Sequence, residues 1–289
     1  MATDREKRLR LKAALNASDI VLAPGCGDVV TARLVQGCGI AAVHASGSVA
    51  HRTSGYADAG FLTLTEMTDS IRALNEGIDI PVIADADTGF GSAANVVRTV
   101  KEYERAGAAA IHIEDQLTPK RPTHLGYGGA FITRAEMVDK IRAAVDTRQD
   151  ENLLIISRCD VDDWDEKLER LVACRDAGAD CGWIATREPD RIEALTKAVG
   201  TPCIGVLPPG MTLPQYSQAG AACALIPAAL QIAALCAQKA VLEALTATGS
   251  FADCLDGMPH VDEMRPFYLQ QGNEDLQRIE AEYSGEEKQ

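Results

Sequence analysis

Aromatic residues are scarce in this chain, making up 4% of it, and its basic residues are dispersed. A platform for stacking nucleobases needs aromatics set among cations, so a single-stranded nucleic-acid binder is excluded. Positive charge is also in deficit: 28 Lys and Arg stand against 42 Asp and Glu, a formal net charge of −14. A chain of that sign is not built to bind nucleic acid or an anionic membrane. An anionic substrate stays open, because a few Arg, Lys or a metal can reverse the sign inside one pocket. No apolar run reads as long enough to span a membrane, and residues 1–12 are charged, without the apolar stretch of a signal peptide. The nine cysteines show no Cys-x-x-Cys or other metal-ligand spacing. Cys159, Cys181, Cys203, Cys223 and Cys236 lie in apolar runs, which reads as buried, reduced thiols in a cytoplasmic protein.

The 289 residues are 46% hydrophobic and 24% charged, the balance of a soluble globular protein with room for a large core. Short apolar runs recur as strand candidates at residues 20–24, 39–44, 81–84, 108–113, 153–157, 181–185, 202–207 and 222–226. Helical patterns separate many of them, over residues 4–16, 29–35, 95–106 and 164–177. Thr63 with Glu66, and Thr133 with Glu136, are spaced as capping boxes that open further helices. Residues 49–62 read as loop, 228–246 as a long apolar helix, and 259–285 as a polar helical tail. Strands alternating with helices predict a parallel sheet, and about eight such units predict a closed (β/α)8 TIM-type barrel. No linker divides it, so residues 1–289 are expected to form one barrel domain, with an N-terminal helix in 1–18 and a C-terminal helical region in 228–289.

One stretch, residues 81–124, organises the chemistry. Its first apolar run ends in Asp85-Ala86-Asp87-Thr88-Gly89-Phe90-Gly91 and its second in Glu114-Asp115-Gln116. Lys120, Arg121 and His124 follow on a loop. Strand residues two apart project to the same side, so Asp85 and Asp87 can point together. Parallel α/β folds bind ligands at the carboxyl ends of their strands. Carboxylates clustered there suit a hard cation, Mg²⁺ or Mn²⁺. The plainer reading, Asp as helix cap and Gly as turn former, accounts for either strand end alone. Two acidic strand ends in succession favour the metal. Ser46-Gly47-Ser48 ends the second strand and can shape an anion-binding nest, and Arg158 ends the fifth on the same rim.

These motifs, with Pro119-Lys120-Arg121, Asp58, the stretch from Arg134 to Ala144 and Ser157-Arg158, resemble the isocitrate lyase/phosphoenolpyruvate mutase superfamily. The pattern is most similar to its methylisocitrate lyase and dimethylmalate lyase branch, over most of the chain and more weakly after about residue 180. The resemblance implies metal ligation by Asp85, with Asp87, Asp58 and Glu114 in or around the shell. It implies substrate carboxylate binding at Ser46, Gly47 and Ser48, and substrate and enolate binding by Arg158. It also implies a homotetramer whose C-terminal helices are swapped between subunits.

The sequence departs from that branch in the active-site loop. The lyases carry a Cys there, whereas this chain reads Lys120-Arg121-Pro122-Thr123-His124, with Pro122 at the thiol's place. Positions where the lyases bind substrate through Glu and Asn align near Ala185 and Val206, and His44 falls near a Tyr. Glu188 lies three residues beyond Ala185 and is the nearest substitute. His124 and Lys120 are the candidates for the missing proton donor. The expectation is a Mg²⁺-dependent carbon–carbon lyase acting on a small anionic 2-oxo or 2-hydroxy dicarboxylate through a pyruvate-type enolate. The alternatives are an oxaloacetate-type decarboxylase, a phosphonopyruvate hydrolase or mutase, and a non-catalytic metabolite binder.

Overall fold

The computed structural model describes residues 2–121, 126–184, 186–250, 254–255 and 258–283. The strands are β1 (Val21–Pro24), β2 (Val43–Ala45), β3 (Val82–Asp85), β4 (Ala110–Glu114), β5 (Leu154–Arg158), β6 (Cys181–Ile184), β7 (Cys203–Val206) and β8 (Ala221–Ile226). They form one eight-stranded sheet in the order β1-β8-β7-β6-β5-β4-β3-β2, parallel at every pairing. The last seam, between β1 and β2, is joined by a parallel bridge from Gly25 to His44, with the Cys26 N–H donating to the His44 carbonyl at 3.0 Å. The sheet is therefore closed on itself, a (β/α)8 TIM-type barrel.

Helix α1 (Asp4–Leu15) precedes the barrel; α2 (Val29–Gly37), α3 (Gly47–Thr53), α4 (Leu64–Gly77), α5 (Ala93–Arg105), α6 (Arg134–Thr147), α7 (Trp164–Asp176), α8 (Pro189–Val199) and α9 (Leu213–Gln218) connect its strands. The capping boxes of Thr63 with Glu66 and Thr133 with Glu136 are both reciprocal and start α4 and α6. Each satisfies two backbone donors that the first helical turn would leave unpaired.

Strand alternation sorts the core into an inside and an outside. Ile83, Leu154, Ile156, Trp183, Ile204 and Leu225 meet inside the barrel, joined by Leu11 and Leu15 of α1. Their neighbours in sequence, such as Ala84, Ile111 and Ile155, face outward onto α4, α5 and α6 through Met67, Val100, Tyr103 and Met137. A second outward cluster, with Ile184, Leu195, Cys203 and Tyr216, seats α8 and α9.

Three expectations change. Strand β2 starts at Val43 rather than Gly39, because Gly39 has φ +76° and its N–H donates to the Gln36 carbonyl, which closes α2. Residues 47–53 are helix α3 rather than loop, held by His51, whose ring is fully buried against the Gly47 carbonyl and the Leu62 N–H. Cys236 is exposed rather than buried, while Cys159, Cys181, Cys203 and Cys223 are buried as expected.

The chain divides into two compact units, Met1–Gln231 and Ile232–Gln289. The barrel is the first. The second holds most of α10 (Ala229–Thr248), α11 (Val261–Leu269) and α12 (Asn273–Tyr283), so the polar tail is two helices. None of these three helices has a buried residue. By length and composition α10, with 20 residues, is long and apolar enough to cross a membrane, which corrects the reading that no run is.

Gly25 makes the barrel seam possible. Its N–H donates to the Ile226 carbonyl at 3.0 Å, and a Cβ there would lie 1.9 Å from the Pro227 carbonyl oxygen. That neighbour is backbone and cannot rotate away. Gly25→Ala is expected to destabilise the chain by about 1–3 kcal/mol, the usual cost of overpacking. The measurement is urea unfolding of the purified variant; a midpoint equal to that of the parent would refute the seam's tightness.

Candidate active site

The inward positions at the carboxyl ends of β3, β4 and β5 are Asp85, Glu114 and Arg158, all on one side of the barrel mouth. After Asp85 the chain must turn sharply while staying paired to β4. The Ala86 N–H donates to the His112 carbonyl at 3.0 Å, and the Glu114 N–H to the Asp87 carbonyl at 2.8 Å. Holding that register puts Asp87 at φ +48°, left-handed backbone that a non-glycine residue seldom adopts, followed by Gly89 at +80° and Phe90 at +59°. The glycines of the motif thus serve the turn, and the strained residue among them is a carboxylate.

The turn is buttressed from outside. The Tyr103 hydroxyl donates to the Asp85 carbonyl at 3.0 Å, and the Lys140 ammonium to the Thr88 carbonyl at 2.8 Å. The Asp85 carboxylate accepts from the Gly47 N–H on Oδ2 and the Asp87 N–H on Oδ1, both at 3.0 Å. A Cβ on Gly47 would stand 2.7 Å from Asp85 Oδ2, so only glycine lets α3 begin this close. The Gly47 N–H, expected in a nest for substrate, is directed at Asp85. Ser46 is the N-cap residue of α3, and its hydroxyl lies 3.1 Å from that of Ser48.

Lys120 reaches the mouth from the β4–α6 loop. Its ammonium pairs with Asp87 in a very short contact and with Asp58 Oδ1 at 2.8 Å. Burial would strip its proton, but Asp87, Glu114, Asp85 and Asp58 outweigh that and hold it protonated far above the usual lysine range. Arg158 lies between Asp160, which takes two hydrogen bonds at 3.0 and 2.8 Å, and Glu114 Oε2 at 3.1 Å. Its guanidinium sits over the Trp183 ring, 4.9 Å from the centroid. Asp160 is itself held by Gln116, which donates at 3.2 Å.

Below Asp85 two buried imidazoles continue the polar contacts inward. His112 Nδ1 lies 3.5 Å from Asp85 Oδ1, and His112 Nε2 lies 3.0 Å from His44 Nε2. Burial lowers both, His44 to about 3 and His112 to about 4, so both rings are neutral near pH 7. One Nε2–H then serves the pair.

The carboxylates respond to the same burial in opposite ways. Burial pushes Glu114 up to about 8, against the pull of Arg158 and Lys120. Burial likewise raises Asp87. For Asp85, His112, Lys120 and Arg158 overcome burial and hold the carboxyl below the usual range. Glu114 Oε1 and Asp87 Oδ2 are buried without a hydrogen-bond partner, while Glu114 Oε2 and Asp87 Oδ1 face the Arg158 and Lys120 cations. Buried carboxylate oxygens in excess of the donors that reach them fit a hard divalent cation, and Asp85, Asp87, Glu114 and Asp58 are the side chains able to hold one. A second donor set, His44, Asp85 and His112, shares Asp85 and adds nitrogen.

Apart from Glu188, the sequence-derived site residues within the described structure fall at this mouth; His124, with Pro122, lies outside the described residues. Glu188 does not face it: it is the N-cap residue of α8 and pairs with Arg191 at 2.9 Å. Asp160 and the His44–His112 contact are additions that pattern reading missed. The only sequence signal for Asp160 was a carboxylate two residues after Arg158.

A closed barrel with an acidic, arginine-bearing carboxyl-terminal mouth defines a class, and comparison with known proteins narrows it. Residues 11–246 match the phosphoenolpyruvate phosphomutase family model, and the chain belongs to that family, the PEP mutase/isocitrate lyase superfamily. The chain is 44% identical to 2,3-dimethylmalate lyase of Eubacterium barkeri over 62% of its own length and 63% of that enzyme's. It is 35% identical to 2-methylisocitrate lyase of Aeropyrum pernix over 96% of its length and 91% of the relative's. Among solved structures, phosphonopyruvate hydrolase complexed with oxalate and Mg²⁺ is similar, with a TM-score of 0.85, 28% identity, and coverage of 98% of this chain and 99% of that one.

Glu114 sets a pH dependence with a definite sign. Its folded value, about 8, is raised from 4.5, so between those values the native chain binds more protons than the unfolded chain. Stability of the metal-free protein therefore falls as pH rises from about 6.5 to about 8; below that, His44 and His112, lowered to about 3 and about 4, act in the opposite sense. Asp87 acts in the same sense as Glu114, and Lys120, raised above its ordinary value, contributes equally across the range. A cation that takes the proton's place restores what is lost. Added Mg²⁺ is expected to raise the melting temperature more at pH 8.5 than at pH 6. Scanning calorimetry with Mg²⁺ or EDTA checks this, and an equal shift at the two pH values would contradict it.

Proposed function

We propose that this chain is a Mg²⁺- or Mn²⁺-dependent carbon–carbon lyase for small 2-oxo or 2-hydroxy dicarboxylates. One observation carries the reading: buried carboxylates of Asp58, Asp85, Asp87 and Glu114, with Glu114 Oε1 and Asp87 Oδ2 lacking a hydrogen-bond partner, share the mouth with Arg158 and Lys120. That supplies places for a cation and for an anion side by side. Both relatives are lyases by name, and the similar hydrolase holds oxalate with Mg²⁺.

Asp85, Asp87, Glu114 and Asp58 would hold the metal, which when bound supplies Lewis-acidic charge against the oxygens of a 2-oxo acid. Arg158, kept in plane by Asp160, offers a fork suited to a substrate carboxylate. Its charge also favours an enolate in a site from which water is excluded. Lys120, a sequence candidate for the proton donor, is held protonated between Asp58 and Asp87 and would act at the mouth as a fixed positive charge. His124 is the other sequence candidate for the proton donor.

Pyruvate release from 2,3-dimethylmalate, 2-methylisocitrate and oxaloacetate, with and without Mg²⁺, tests the reading. At least one acid is expected to turn over with Mg²⁺ and none after EDTA. Asp85→Ala is expected to abolish the heat of Mg²⁺ binding in titration calorimetry. Arg158→Lys, which keeps the charge but loses the fork, is expected to lower kcat/KM by about 10²-fold or more. Wild-type chain that releases no pyruvate from any of these acids would sink the lyase reading.

The C-terminal helices support a homotetramer as the working form. Ile232, Leu235 and Leu242 of α10 are 58%, 55% and 62% exposed, a large apolar surface for a single chain to leave bare. Sedimentation velocity at micromolar concentration is expected to give a tetramer; a stable monomer would overturn it.

A further inference from the structure

The segment between α3 and α4 brings Asp58 to the mouth, and one buried residue, His51, pins that segment on both sides of Asp58. The Tyr56 N–H donates to the His51 carbonyl at 2.9 Å, and the Leu62 N–H donates to His51 Nε2 at 3.2 Å. Between these anchors Asp58 Oδ1 meets the Lys120 ammonium at 2.8 Å. Gly60 brings the backbone of the same segment against Lys120: a Cβ there would stand 3.5 Å from the Lys120 amide nitrogen. His51 Nδ1 itself is 3.8 Å from Asp58 Oδ1, too far for a hydrogen bond. Its hold on Asp58 therefore runs through the backbone.

Both nitrogens of the His51 ring are committed. Nδ1 lies 2.8 Å from the Gly47 carbonyl, one turn back in α3. A carbonyl cannot donate and a backbone N–H cannot accept, so the proton sits on Nδ1 and the lone pair on Nε2. No lone pair is left for a metal. The two contacts differ in what their loss would do. The Gly47 carbonyl lies inside a helix and has a main-chain donor four residues on, so it can do without the ring. The Leu62 N–H belongs to a buried residue and takes Nε2 as its acceptor. Left without that acceptor, it would have to move to find water.

We infer that His51 is a positioning residue for the cation site and acts through Asp58. Its Nε2 fixes the backbone at Leu62, and so sets where the Asp58 carboxylate stands against Lys120. The inference rests on the cation site proposed above. The same ring closes the first turn of α3, whose N-cap residue, Ser46, makes no side-chain cap bond. That turn presents the Gly47 N–H to Asp85 at 3.0 Å. One imidazole thus ties together the backbone that carries Asp58 and the backbone that holds Asp85. Groups around a metal depend on what orients them, and loss of an orienting partner typically costs about 10–100-fold in metal affinity.

The experiment measures Mg²⁺ affinity by titration calorimetry on the full chain. The proteins are wild type, His51→Asn, His51→Gln, Asp58→Asn and the double variant of His51→Asn with Asp58→Asn. Asn can place an amide where Nδ1 stands but reaches nothing at Nε2, whereas Gln reaches the Nε2 position with an oxygen that accepts from Leu62. His51→Asn is expected to weaken Mg²⁺ binding by about tenfold or more, and His51→Gln to recover most of that loss. With Asp58→Asn already present, His51→Asn is expected to add little, because the group it positions is gone. Unchanged affinity in His51→Asn, an equal loss in both backgrounds, or a Gln variant as weak as the Asn variant overturns the inference and leaves the cation site standing. Wild type with no heat of Mg²⁺ binding overturns both. Hydrogen exchange on wild type adds a check that needs no variant to fold. Residues 56–62 are expected to exchange slowly before Mg²⁺ is added. Fast exchange there that Mg²⁺ alone suppresses would mean that the ion orders the segment, and overturns the inference.

Discussion

Everything at the mouth of this barrel depends on an imbalance of buried charge. Asp58, Asp85, Asp87, Glu114 and Asp160 converge there, and Lys120 and Arg158 are the cations that meet them. Formally, five negative charges face two positive ones, and burial makes the excess costly. A protein relieves such an excess by retaining protons or by taking up a cation. The raised Glu114 and Asp87 show the first response, and Glu114 Oε1 and Asp87 Oδ2, buried without a hydrogen-bond partner, make the second possible. The arrangement looks wasteful as scaffolding, because isolated buried carboxylates destabilise a fold. It makes sense as a site whose missing charge arrives with its ligand.

The backbone around the site is shaped by the same demand. Asp87 sits in left-handed backbone so that its carbonyl can accept from Glu114 while its side chain meets Lys120. Gly47 lets α3 start within hydrogen-bond reach of Asp85. Tyr103 and Lys140 tie the same turn to α5 and α6. Rigid elements thus fix the carboxylates at the strand ends, where the barrel fold puts its ligands.

Much of this was legible in the sequence, for definite reasons. Buried parallel strands are continuous apolar runs, and each run here was bounded by polar or glycine residues, so the barrel could be counted from them. The site was legible because its residues cluster at two successive strand ends. What stayed hidden depends on contacts distant in sequence. Helix α3 has no apolar period; His51 holds it from within the core. His44 and His112 lie on strands 68 residues apart, and only the barrel's closure brings their rings together. Asp160 reads as an ordinary loop acid until Arg158 is seen to rest in it.

Trp183 marks the boundary between the charged and apolar sides of the mouth. One face of the indole's role is electrostatic: Arg158 lies over its ring at 4.9 Å, and His112 packs against it at the same centroid distance. The other is steric, since Trp183 belongs to the inner apolar cluster with Ile204 and Leu225. An indole is suited to both, because its ring attracts a cation yet offers a wide apolar surface. It supports the guanidinium without competing for its hydrogen bonds, which remain with Asp160 and Glu114. The polar half of the site can therefore be tightly organised for a charge common to many 2-oxo acids. The apolar half, with Ile204 and Leu225, is built from residues that the charge network does not use.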